Sequence, residues 1–236
     1  MKEISSKAIG KIVAENLETA SVFEAYKLDF CCHGDQSLTE ACEINSLPLE
    51  KLQTELLAAI EKAADKSTDS AVSAKDLPID ELVKYILDQH HGFTKDTIAF
   101  VETLLNTVVR VHSDNHPELL TVQKDFAGLS AELKQHLELE EDEHFPLFEK
   151  VFAASKEREL SSEERQEVGK AVSLMLSEHE VAGAVLDNMH DYTDGFAIPE
   201  DACNSFTLLY KNLLDLERDL HKHIALENYL LYPKMQ

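Results

Sequence analysis

HIALENYLLYP, His223–Pro233, repeats the form of HLELEEDEHFP, His136–Pro146, with every matched position displaced by 87 residues. In each copy a histidine is followed four residues on by a glutamate, then by Glu or Asn, and the stretch closes on an aromatic residue and proline. Residues i and i+4 stand about 6 Å apart on one helix face, so each copy offers an imidazole and a carboxylate to a single point. In the second copy that face is the one on which Leu216 and Leu220 point inward. A buried imidazole beside a buried carboxylate is costly unless something satisfies both.

Around this pair the chain reads as all-α. Seven glycines and six prolines in 236 residues leave few breaks, and strand-like runs of alternating β-branched residues are nearly absent. The first 62 residues predict a small helical domain: a helix opening after Ser5 or Ser6, one around 16 to 27, a turn at CCHGD, a short SLTEAC helix and a longer one opening at Pro48. Residues 63 to 76 are small and polar, the composition of a linker. From 77 to 236 four long amphipathic segments open near Pro78, Asn115 to Pro117, Ser161 or Ser162, and Pro199, and short connections make them an antiparallel four-helix bundle. The stripe of the first runs 82, 86, 93, 97, 101, 104 and 108.

Each stripe carries polar gaps. His90 fills the step between Ile86 and Phe93, His136 and Glu140 continue the second stripe, His179 sits between Met175 and Ala182, and His223 and Glu227 lie between Leu220 and Leu230. His179 follows His90 by 89 residues, close to the shift of the repeat, so the bundle reads as two related helical hairpins. The third and fourth helices match less well in level, which predicts an irregular excursion after Asp191. Six core-facing groups of this kind, left unsatisfied, would cost far more than a domain stability of about 10 kcal/mol. Four imidazoles and two carboxylates without a thiolate suit two iron, manganese or zinc ions, iron best, with room for an oxo or hydroxo bridge and one small ligand.

Other candidates have plainer readings. His91 lies 100° round the helix from His90 and should sit off the axis, facing solvent, with a place behind the ligands as the alternative. His112 and His116 cap the turn between the first two long helices. His144, four residues beyond Glu140, offers a seventh ligand but stands a full turn past the site, His190 and His221 point outward, and Cys42 and Cys203 are ordinary small residues. The formal net charge of −23 disfavours nucleic acid and anionic membrane surfaces as partners. No segment approaches the ~20 apolar residues of a membrane span and the start lacks a secretory run, so the expectation is a soluble cytoplasmic protein with reduced cysteines.

These motifs resemble the hemerythrin-like bundles and, more specifically, the Ric family of di-iron repair proteins. The bundle half shows the single His of the first helix, HxxxEE with FP, SEHxxAG at Ser177 to Gly183, and HxxxEN with YP; the first 60 residues show YKLDFCCHGDQSLTEAC. The resemblance implies repair of iron–sulfur clusters damaged by oxidative or nitrosative stress, through iron delivery or nitric oxide handling. It implies His90, His136, Glu140, His179, His223 and Glu227 as iron ligands, and Glu178 as an outer carboxylate near the route of entry. Cys31 and Cys32 would be thiols that exchange electrons, nitrosyl groups or iron with a damaged iron–sulfur protein or with the other subunit of a homodimer. A hemerythrin-like carrier or sensor of oxygen or nitric oxide, and a di-iron nitric oxide reductase, are the alternatives. The chain departs from the family at His33, where the pattern has glycine. A positive φ there would fit histidine poorly and pass the reversal to Gly34, and the imidazole would stand where it could lower a thiol pKa or add a ligand.

Overall fold

In the computed structural model, which describes residues 2–66 and 74–235, helices account for nearly all regular structure. Among the described residues there is one isolated β-bridge, Ala8 with Ser37, and no strand. None of the helices described is long and apolar enough to cross a membrane. Of the expected linker, residues 67–73 lie outside the described residues, Leu49–Lys66 carries its helix into the first part, and Ala74–Asp76 form a 3-10 turn.

By its contacts the chain divides into two units: Met1–Tyr85 with Val151–Arg165 and His221–Gln236, and Ile86–Lys150 with Gln166–Leu220. The second unit is a bundle of four helices. Its core draws Ile98, Val101 and Leu105 from the first long helix, Leu119, Val122, Phe126 and Leu133 from the second, Leu186 and Met189 from the third, and Phe206, Leu213 and Leu220 from the fourth. The helices open where the capping chemistry places them. Glu118 follows Pro117, and Ser161 accepts from the Glu164 N–H while Glu164 accepts from the Ser161 N–H. The fourth opens later than Pro199 suggests, at Asn204, because Pro199 to Ala202 first form a turn. After Tyr192 the expected excursion is present, with Asp194, Gly195 and Phe196 all at positive φ.

One stripe departs from its helical period. Phe93 is 38% exposed and Leu105 takes the inward place expected for residue 104, while Ile98 is buried beside Thr97 and Val101 and Val108 keep their places. The cause is a π-helical turn at Leu87–His91, which inserts one residue and advances every later side chain by about 100° relative to an unbroken α-helix.

The first unit packs Ile9, Ile12, Phe23, Phe30, Leu38 and Leu52 with Ile224 and Ala225 from the end of the fourth long helix. Ser37 caps the Leu38–Ile44 helix in a reciprocal capping box with Glu40. Gly34 has no positive φ and neither has His33, so the expected backbone reversal does not arise. Gly34 is required for another reason: a Cβ there would strike the Phe30 carbonyl oxygen and the Gly10 backbone, and one on Gly10 would strike the Tyr229 ring.

The histidines at the turn do more than cap it. His116 bridges Glu118 and Asp201 at 3.1 and 2.9 Å, and His112 Nε2 lies 3.1 Å from Cys203 Sγ, so both tie the first helical connection to the segment before the fourth helix.

Two predictions follow from these contacts. Gly34→Ala should destabilise the protein by about 1–3 kcal/mol, the usual cost of overpacking, seen as a lower thermal midpoint. Burial opposes charge on His116, but the Asp201 and Glu118 carboxylates overcome it and raise its pKa above 6.5. The folded state therefore binds this proton more tightly than the unfolded chain; the stabilisation is full below 6.5 and is lost as pH rises through the raised value. His116→Gln should thus lower the urea midpoint in mildly acidic buffer, with the difference shrinking above neutral pH. A pH-independent difference would trace the effect to lost packing on Phe206 instead.

Candidate metal centre

The π-helical turns fall on the chemistry-bearing positions. Besides Leu87–His91 they occupy Glu140–His144 and Glu227–Leu231, so the glutamate of each HxxxE copy starts one. Such turns widen the helix locally and are common at functional sites.

In the bundle unit, Glu140 is 0% exposed, which excludes a solvated surface ion pair. Its Oε2 lies 3.4 Å from His136 Nε2 and 3.5 Å from His91 Nε2. His179 Nε2 stands 3.3 Å from His136 Nε2, and the ligand atoms of His136, Glu140 and His179 all lie within 4.8 Å of one another. Nitrogens about 2.1 Å from a shared cation sit roughly 3 Å apart, so this spacing suits two ligands of one ion.

Carboxylates orient two of these rings from behind. Glu178 Oε2 is 2.7 Å from His136 Nδ1, and Glu141 Oε1 is 2.8 Å from His91 Nδ1. Burial alone would raise the Glu141 carboxyl, but Lys95 and His91 together lower it. A carboxylate facing Nδ1 accepts a proton held there and leaves Nε2 facing inward, the arrangement by which metal-binding imidazoles are held. Glu178 keeps 40% side-chain exposure while holding His136 Nδ1.

His91 overturns its expected orientation. It is 2% exposed rather than solvent-facing, because the π-turn brings two consecutive residues inward. His90 is buried too, but its Nδ1 meets Asp219 at 3.0 Å. His144 is likewise buried, stacked on Phe148, and burial lowers its pKa. His190 is half-buried with Nδ1 3.0 Å from Glu217.

In the first unit, His223 Nε2 and Glu227 Oε1 are 3.0 Å apart and both residues are buried. The next residue, Asn228, donates from its side-chain amide to the Cys31 carbonyl at 2.9 Å. Cys31 is thus tied to the second HxxxE turn within one chain. Sequence reasoning passes over Asn228, although the change from HxxxEE to HxxxEN marks it. His221 is not fully outward, since its ring packs edge-on against Phe30. His33 Nδ1 meets Asp29 Oδ2 at 2.6 Å, and the hydrogen bond with Cys32, burial and the Asp29 carboxylate push the Cys31 thiol up rather than down.

Residues 82–235 match the family described as hemerythrin HHE cation binding domain. The chain belongs to this family. Residues 5–60 match ScdA_N, a domain of unknown function. The chain is 26% identical over 227 residues to the iron-sulfur cluster repair protein ScdA of Staphylococcus epidermidis, covering 96% of each. It is 28% identical over 226 residues to the iron-sulfur cluster repair protein YtfE of Cronobacter sakazakii, with 96% of this chain and 94% of the relative covered. For YtfE of Edwardsiella ictaluri the identity is 29% over 228 residues, with 97% and 96% covered. These matches bear out the resemblance drawn from the motifs, and the family assigns cation binding to the stretch that contains both HxxxE copies.

Asn228→Ala removes the tie between the Cys31 turn and the last helix. It should cost about 1 kcal/mol of stability and speed alkylation of Cys31, followed residue by residue by mass spectrometry. An unchanged Cys31 rate would count against the tie as a restraint on that thiol.

Proposed function

We propose that the chain binds two irons in its hemerythrin-type domain and restores iron–sulfur clusters damaged by oxidative or nitrosative stress in other proteins. The observation that carries this reading is Glu140, fully buried against the Nε2 atoms of His91 and His136, whose Nδ1 atoms Glu141 and Glu178 hold. A carboxylate so placed calls for a cation, and nitrogen and oxygen donors without sulfur suit iron. The names of relatives spanning nearly the whole chain support cluster repair as the use of that metal.

The proposed ligands are His91, His136, Glu140 and His179, with His223 and Glu227 of the second HxxxE copy as the further donors. His91 takes the place expected of His90, because its Nε2 lies 3.5 Å from Glu140 Oε2. Bound there, iron supplies ferrous–ferric chemistry and a store that can be passed on. Glu178 and Glu141 keep the imidazole protons on Nδ1, and the apolar bundle core excludes water from the inner donors. Cys31 and Cys32 are the proposed thiols facing a client protein, Cys32 being the more accessible.

Iron analysis after anaerobic loading tests the ligand set. His91→Ala should lose iron while His90→Ala keeps near the parent content, and Glu178→Gln should weaken iron binding about 10–100-fold. For function, the iron-loaded protein is added to a cluster enzyme inactivated by nitric oxide, and recovery is followed with nitrous oxide release. Recovery without gas supports delivery of iron; no recovery, with the parent protein fully loaded, would sink the repair reading.

A further inference from the structure

The turn that carries the adjacent cysteines gathers a donor set of its own. Asp29 Oδ1 lies 3.4 Å from Cys31 Sγ, Cys31 Sγ lies 3.6 Å from Cys32 Sγ, and the ligand atoms of all three residues fall within 4.8 Å of one another. A tetrahedral zinc with sulfur ligands at about 2.3 Å and an oxygen at about 2.0 Å has edges of roughly 3.8 Å between sulfurs and 3.5 Å between sulfur and oxygen. Both observed separations approach those edges.

The surrounding contacts fix this arrangement. Asp29 Oδ1 accepts from the N–H groups of Cys31 and Cys32 at 3.1 and 3.0 Å, and Oδ2 is held by His33 Nδ1. Asn228 holds the Cys31 carbonyl, and the turn lies against Gly10 through Gly34 with no room for a Cβ. A shape constrained from four sides needs little reorganisation to take a ligand.

We propose that Asp29, Cys31 and Cys32 form a mononuclear site for a borderline-soft divalent cation, zinc or ferrous iron, with His33 positioning Asp29 from outside. Binding exchanges the two thiol protons, released to solvent, for one divalent cation. The Cys31 S–H bond to Asp29 gives way to a shared metal, and the fourth position stays open to water or to an incoming thiolate, as in three-ligand sites. Thiolate donors and a single ion separate this site from the histidine–carboxylate set of the bundle, and it stands whether or not the bundle acts in repair. His33 plays the part of a histidine–carboxylate pair behind a metal ligand, which gives the departure from the family glycine a purpose.

The test is an anaerobic cobalt(II) titration of the full-length, reduced protein. A thiolate-to-cobalt charge-transfer band should saturate at one cobalt per chain, a signal the sulfur-free bundle donors cannot give. Cys32→Ser should abolish it and Cys203→Ser should leave it, while His33→Gly should keep the band but weaken affinity about tenfold or more. In the unsubstituted protein, zinc should slow alkylation of Cys32 about tenfold or more. Absence of the band with the thiols counted as reduced, its survival in folded Cys32→Ser, or no protection of Cys32 by zinc would each overturn the proposal.

Discussion

A carboxylate removed from water must be met by positive charge or by donors, and Glu140 imposes that condition on the centre of the bundle. Two imidazole nitrogens stand near one of its oxygens, and a carboxylate stands behind each imidazole. The order of charges from outside to inside is therefore acid, base, acid, the layering by which a protein holds a cation without leaving its ligands mobile. The apolar residues around this centre gain from burial, but they do not decide which side chains face it. The polar residues do, and the helices deform to let them.

That deformation is the set of π-helical turns. A regular α-helix presents a stripe to its core, and two large polar rings in succession, His90 and His91, fall on its two sides. The turn at Leu87–His91 buries both, and beyond it the stripe departs at Phe93 and Leu104 while Val101 and Val108 stay inward. At Glu140–His144 and Glu227–Leu231 the same device begins on the glutamate of each repeat. The repeat is thus one of backbone geometry as well as of residue types. Weakened local hydrogen bonding is accepted where the donors converge, and the regular helix resumes beyond it.

The small helical domain is joined to the second repeat by specific contacts rather than by a featureless apolar face. Ile224 and Ala225 complete its core, and Asn228 reaches the Cys31 carbonyl. Gly10 and Gly34 allow the close approaches that put the cysteine turn where it is. A change at Asn228 or Gly34 would alter the thiols without touching any histidine of the bundle.

The sequence by itself determined the helical class, the four amphipathic stripes and the duplicated HxxxE, because helical periodicity and i, i+4 spacing are local properties that survive without knowledge of packing. In the third and fourth long helices the apolar residues that flank the polar gaps, Met175, Ala182, Leu220 and Leu230, are buried as expected. Only the tertiary structure brought His91 into the core beside His90, since a π-turn carries no composition signal and shows itself in the exposed Phe93 and the buried Leu105. It also decided that His33 meets Asp29, and that Glu141, Glu178 and Asn228 have fixed partners. Those assignments depend on which groups meet across 4 to nearly 200 residues of chain, from His33 with Asp29 to Asn228 with Cys31, and spacing along a sequence does not encode such meetings.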